Sequence, residues 1–152
     1  MTKNIDNLEK IRHFLIDNIN ELSAEQLNKV PPGFNNNIIW NLGHLVSAQQ
    51  GICYVRSGLP VIIEEKYFTE YKSGTRPGLF VPAEDIQKIK ELLFSTIDRL
   101  THDLEKNAFA HYPGWASRYG VEINNIDDAL VFIQYHEGFH SGTILALKRL
   151  VV

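Results

Sequence analysis

Apolar residues recur at intervals of three and four along four separate stretches of this 152-residue chain, the spacing of amphipathic helices. The first stretch runs from about Asn4 to Leu22, where Ile5, Leu8, Arg12, Leu15, Ile19 and Leu22 share one stripe. Pro31-Pro32-Gly33 lies beyond its end and forbids simple continuation. The second covers roughly Asn37 to Ser57, with Gly58 and Pro60 as its stop. Ile38, Trp40, Leu42, Leu45, Val46, Ile52 and Val55 supply its apolar surface. The third begins at Pro82-Ala83-Glu84-Asp85, proline and acids where a helix N-terminus favours them, and continues to about Leu104. The fourth starts after Asn124-Asn125, with Asp127 and Asp128 in its first turn, and runs to the C-terminus. Ala129, Phe132, Ile133, His136, His140, Thr143, Ile144 and Leu147 occupy one broad face of it.

Four helices of this length predict an all-α fold: a four-helix bundle of up-down type, with antiparallel helices, forming one domain over residues 1–152. The connections at about 59–82 and 105–125 are long and rich in Tyr, Phe, Gly and Pro, and they are placed to cap one end. Connections of that length are functional or partly helical more often than idle. Their aromatic and Val content leaves room for a short strand, but neither shows a hairpin signature.

Composition narrows the function without naming it. With 44% hydrophobic and 22% charged residues, the chain reads as an ordinary soluble protein. A net charge of −3 without any run of Lys or Arg argues against a nucleic-acid partner. No apolar run is long enough to span a membrane, and MTKNIDNLEKIRHF lacks the apolar core of a secretory signal, so the expected compartment is the cytoplasm. The single cysteine, Cys53, cannot form an internal disulfide and reads as helix packing rather than as a nucleophile.

The chemistry-bearing pattern is His136-Glu137-Gly138-Phe139-His140, letter for letter H-E-x-x-H. Spacing of i, i+4 sets the two imidazoles on one helix face, where they can share a divalent ion. A catalytic site usually takes three protein ligands, and zinc proteases find the third downstream. Here Ser141 to Val152 contain no His, Asp, Glu or Cys, and Thr143 and Ala146 stand where the longer protease pattern needs Gly and His. The protease reading therefore fails. A third ligand has to come from upstream: His13, His44, His102, His111 or a carboxylate. His44 is the strongest of these, because it interrupts an apolar helix and needs a partner there. Gly43 beside it leaves space for another backbone to approach.

Trp40-Asn41-Leu42-Gly43-His44-Leu45 and His136-Glu137-Gly138-Phe139-His140-Ser141-Gly142, with their order and the overall length, resemble the DinB-like superfamily of metal-dependent enzymes. The resemblance implies a four-helix bundle holding one divalent ion near one end. By motif its ligands are His44, His136 and His140. Zinc, nickel and iron all suit imidazole, so the ion stays open. Relatives include thiol S-transferases and a thiol-dependent maleylpyruvate isomerase, and many form homodimers. The resemblance thus implies a small-molecule substrate, a thiol among the options, and a homodimer. It implies either a transferase joining a low-molecular-weight thiol to an electrophile or a hydrolase. The alternative is a non-catalytic, metal-binding dimeric module related to stress. It fixes no catalytic residues beyond the ligands.

Several further residues have two readings each. Glu137 is a base or an acceptor for a ligand's second nitrogen, or else a solvated or structural glutamate. Asn41, one turn before His44, orients that ring or touches substrate. Tyr135 sits at a pocket rim or, the blander choice, in the core. Ser73 to Gly78 form a surface turn, or one that offers Arg76 to an anionic substrate. Trp115, Tyr112, Tyr119 and Phe109 form a pocket wall or a minor core. His13, His102 and His111 read as surface or loop histidines. Metal affinity is expected to fall as pH drops through the ordinary histidine pKa of about 6.5.

Overall fold

A computed structural model describes residues 2–152. The four predicted stretches are its four long helices. The first, α1 (Thr2–Ile19), buries Ile5, Leu8, Arg12, Leu15 and Ile19, the stripe read from the sequence. Ser23 then opens the short helix α2 (Ala24–Asn28) with a capping box, its hydroxyl accepting from Gln26 N while the Gln26 side chain accepts from Ser23 N. Asn37 caps α3 (Ile38–Gln49) by accepting from Trp40 N. Every residue from Ile38 to Ser47 is buried, as expected of a helix packed on all sides.

At Gln50 the helix changes character. Gln50–Val55 is a π-helical segment, with Arg56 N donating to Gly51 O. Such wide turns shift the register of everything beyond them and favour functional sites. The first long connection carries α4 (Glu65–Thr69), and it leads into α5 (Ala83–Glu105). The second holds a two-stranded antiparallel ladder, β1 (Trp115–Ala116) with β2 (Glu122–Ile123), pairing Trp115 with Ile123. This is the hairpin the sequence did not signal. Its turn relies on Gly120 at φ 79° and on the Ser117 hydroxyl, which accepts from Val121 N at 3.2 Å. The last helix, α6 (Ile126–Val151), is capped by Asn125.

Two buried clusters show how the long helices run. Ile5 and Leu8 of α1 pack with Leu130 and Ile133 of α6, with Ile97 to Leu104 of α5, and with Cys53 and Tyr54. Leu15 and Ile19 pack at the other end with Ile144 and Leu147, with Ile86 and Ile89, and with the start of α3. Hence α1 and α6 are parallel, α3 and α5 are parallel, and the two pairs oppose each other: up, down, down, up. Helix α1 packs on α5 and α6, as does α3. The 59–82 connection is long because it must return the length of the bundle before α5 begins.

A buried polar network crosses all four helices. Arg12 of α1 is fully buried and donates Nε to both oxygens of Glu137 of α6, at 3.0 and 3.2 Å, and Nη2 to Oε1. Its Nη1 reaches Leu93 O and the Thr96 hydroxyl of α5. Gln49 of α3 donates Nε2 to Thr96 O at 2.9 Å. Among the described residues, no helix is long and apolar enough to cross a membrane.

Candidate metal centre

His44 of α3 meets His136 and His140 of α6 on the flank between those helices. One ring nitrogen from each lies within 4.8 Å of the others. The group sits midway along α6, not at the end of the bundle that the resemblance implies. His44 Nε2 and His136 Nε2 face each other at 3.2 Å.

The remaining nitrogens show which atoms are free to ligate. His44 Nδ1 lies 2.7 Å from Tyr71 O, and a carbonyl only accepts, so Nδ1 carries the proton and Nε2 the lone pair. Asn41 donates Nδ2 to Asn37 O at 2.7 Å, which fixes its amide. Its Oδ1 therefore accepts from His140 Nδ1 at 2.8 Å and turns that ring's Nε2 inward. So Asn41 orients His140, not its neighbour His44. Trp40 stacks on His44 at 4.8 Å between ring centroids and 8° between planes, with Nε1 held by the Thr75 hydroxyl. Nitrogen donors converging in this way, two of them with tautomers set by the surrounding chain, fit a divalent transition ion.

Burial keeps the rings neutral. Desolvation pushes His136 down to about 3, aided by His140, His44 and the Arg118 guanidinium. Desolvation also takes His140 down to about 4, aided by His44 and Arg118. His44 is lowered chiefly by desolvation, against the pull of Tyr71 O. Proton competition for these lone pairs therefore sets in below the ordinary value near 6.5 that the sequence suggested. The sign for stability follows. Above about pH 6.5 both folded and unfolded rings are neutral; below it the unfolded chain takes up protons that the folded cluster refuses. Metal-free protein is thus expected to lose stability between pH 6.5 and 4. Guanidinium midpoints at pH 7 and 5 should drop more for this chain than for His136→Asn.

Gly43 does leave space, but for a ring rather than a backbone. A Cβ there would lie 2.7 Å from Tyr71 Cε1, and Tyr71 is buried at 5% exposure. Gly43→Ala is expected to destabilise by about 1–3 kcal/mol through overpacking, outweighing the ~1 kcal/mol that alanine gains in a helix. Because Tyr71 O holds His44, metal uptake measured by calorimetry should weaken in the same variant.

The other candidates separate cleanly. Glu137 is structural: its carboxylate is spent on Arg12 and points away from the histidines. Tyr135 is 56% exposed and lines the mouth of the site, a correction to the core placement. Arg76 borders a separate cavity of about 660 Å³, away from the histidines. Trp115 and Tyr119 do form pocket wall, whereas Phe109 and Tyr112 join buried clusters. Cys53 is fully buried, its thiol pushed up to about 12 by desolvation. His13, His102 and His111 are exposed.

A cavity of about 710 Å³ opens beside the three rings. Its walls include Arg56, Lys72 and Arg118, three residues that sequence reasoning missed. Among the described residues, no Asp or Glu lines it.

The family model described as the DinB superfamily matches residues 7–144, which include both motifs and all three histidines. The chain belongs to the DinB superfamily. No curated protein matches it. Within a DinB chain, then, the Trp40 to Leu45 and His136 to Gly142 motifs are the two segments that build this cluster, one on α3 and one on α6.

Proposed function

We propose that this chain is a metal-dependent enzyme that transfers a low-molecular-weight thiol to an electrophile, with His44, His136 and His140 holding one divalent ion. The observation that carries this reading is a three-histidine cluster opening on a cavity without a carboxylate. An ion held by three neutral imidazoles supplies Lewis acidity and lowers the pKa of a thiol or water that reaches it. Hydrolysis by activated water usually draws on a side-chain base, and Glu137 is unavailable for that role. Thiol transfer needs no such base: the S–H bond breaks, its proton passes to solvent, and an S–C bond forms at the electrophile as a leaving group departs with its electron pair, or as a double bond opens and takes up a proton from solvent. Around the reacting atoms, Trp40 and the Tyr71 carbonyl hold His44 in place, and Asn41 does the same for His140.

The test is turnover by zinc-, nickel- and iron-loaded protein against a panel of electrophiles with several thiols. Thiol-dependent consumption, abolished by a chelator and by His44→Ala, supports the reading. Consumption without thiol moves the assignment to a hydrolase. Silence across metals and thiols supports the non-catalytic, stress-related module instead. The proposal includes the homodimer: Val131, Tyr135 and Phe139, spaced one turn apart on α6, all stay more than half exposed, and the last two line the cavity. Light scattering should give twice the chain mass, and a clean monomer at high concentration would sink that part.

A further inference from the structure

Acidic residues outnumber basic ones in this chain, 18 against 15. Yet the cavity beside the histidines collects three cations from three different elements and no acid. Arg56 follows the π segment, Lys72 lies in the connection after α4, and Arg118 sits at the tip of the hairpin between β1 and β2. None of the three has a carboxylate within 4.0 Å among the described residues, whereas Lys66 and Arg99 elsewhere are paired. Like charges gathered around one cavity repel one another, and the arrangement is relieved when an anion enters.

Both arginines are also held in place. The Arg56 guanidinium lies 4.2 Å from the centroid of the Trp115 ring. Arg118 lies 5.0 Å from the Tyr119 ring and donates Nη2 to its hydroxyl at 2.7 Å. A guanidinium resting on an aromatic face keeps N–H groups free, Arg118 those not spent on the Tyr119 hydroxyl, and a free N–H edge matches carboxylate and phosphate oxygens two at a time. Phe68, Phe132 and Phe139 add apolar surface to a lining that otherwise includes Asn36, Ser47 and Ser73. The volume of about 710 Å³ suits a small organic molecule.

We propose that this cavity recognises an amphipathic anion, with a flat apolar body against the phenylalanines and a carboxylate or phosphate held by Arg118, Arg56 and Lys72. The inference deepens the enzymatic reading by giving the chemical class of its substrate, and it rests on that reading for the word substrate. The anion-binding surface itself stands on the cations alone.

The chain carries its own reporter, since it has two tryptophans and both Trp40 and Trp115 line the cavity. Phenylacetate, phenyl phosphate and the neutral phenylacetamide are titrated against tryptophan fluorescence at low salt, in zinc-loaded protein and after chelation. At least one anion is expected to bind about tenfold or more tighter than phenylacetamide in both states, the span of a charge-assisted hydrogen bond. Which anion binds better separates a phosphate from a carboxylate ligand. Arg118→Gln and Arg56→Gln should each weaken it about tenfold, Arg118→Lys should weaken it less, and Arg76→Gln should leave it unchanged. Equal affinity for anion and amide, or an unaltered constant in the Arg56→Gln/Arg118→Gln double variant with native circular dichroism, overturns the proposal. Zinc uptake measured alongside keeps the two readings apart. Uptake without anion preference sinks this inference alone, and anion preference without uptake sinks the metal reading alone.

Discussion

Glu137→Ala is expected to cost about 3–5 kcal/mol of stability, a large share of the roughly 5–15 kcal/mol that folds a typical domain. Arg12 has no exposed surface, and removing Glu137 leaves its charge facing only Leu93 O and the Thr96 hydroxyl. A guanidinium cannot escape by losing its proton. The double variant Arg12→Met/Glu137→Leu should recover most of what Glu137→Ala loses, because two buried charges leave together. Guanidinium denaturation with an unchanged slope reads these differences directly. Equal midpoints for Glu137→Ala and the parent would show that the pair is not the internal strut described above. Metal bound per folded molecule should not change, since the carboxylate faces α1 and not the histidines.

The four long helices were legible because each must bury one face over several turns, and that requirement writes a period of three and four into the sequence. Their directions were not. Nothing in the stripes of α1 and α6 says that Ile5 meets Leu130 and Leu15 meets Ile144; only the clusters do. The hairpin escaped because strands of two residues are too short for any alternation to register. Arg12 is the instructive case. It stood in the stripe of α1 as an apparent exception, and the exception marked a buried ion pair with a residue 125 positions away.

The site was legible to the extent that it depends on residue type. His136 and His140 announce themselves by spacing, and His44 by standing in an apolar helix. What fixes their tautomers was visible only in part. Asn41 stood out, with the wrong ring assigned to it, because i+3 neighbours on α3 face the same way yet the amide turns across to α6. Tyr71 acts through its backbone oxygen, and a carbonyl carries no residue-type signal at all. Arg56, Lys72 and Arg118 were missed because a cationic wall assembled from three separate segments has no pattern along the chain; the Ser117 to Gly120 turn that presents Arg118 is its nearest trace.

His44→Ala should cost about 100-fold or more in metal affinity, beyond the 10–100-fold typical of residues that only support a ligand. It deletes the one donor contributed by α3 and leaves His136 and His140, a pair on one helix that holds an ion poorly. Asn41→Ala is the graded comparison. It keeps all three rings but frees His140 to rotate and to present the wrong nitrogen, so a loss of about 10–100-fold is expected. Metal-free His44→Ala should also lose stability at neutral pH, where the ring is neutral in both states, because the change empties a buried site stacked on Trp40 and leaves Tyr71 O without its partner. Metal then separates the variants in a thermal scan. At a hundredfold excess over its dissociation constant, bound metal stabilises by about 2.7 kcal/mol, worth several degrees in Tm for a chain of this size. The parent should show that rise and lose it to a chelator, while His44→Ala should melt at the same temperature with and without metal. Equal metal content in His44→Ala and the parent would separate the ion from this cluster and overturn the assignment of His44 as a ligand.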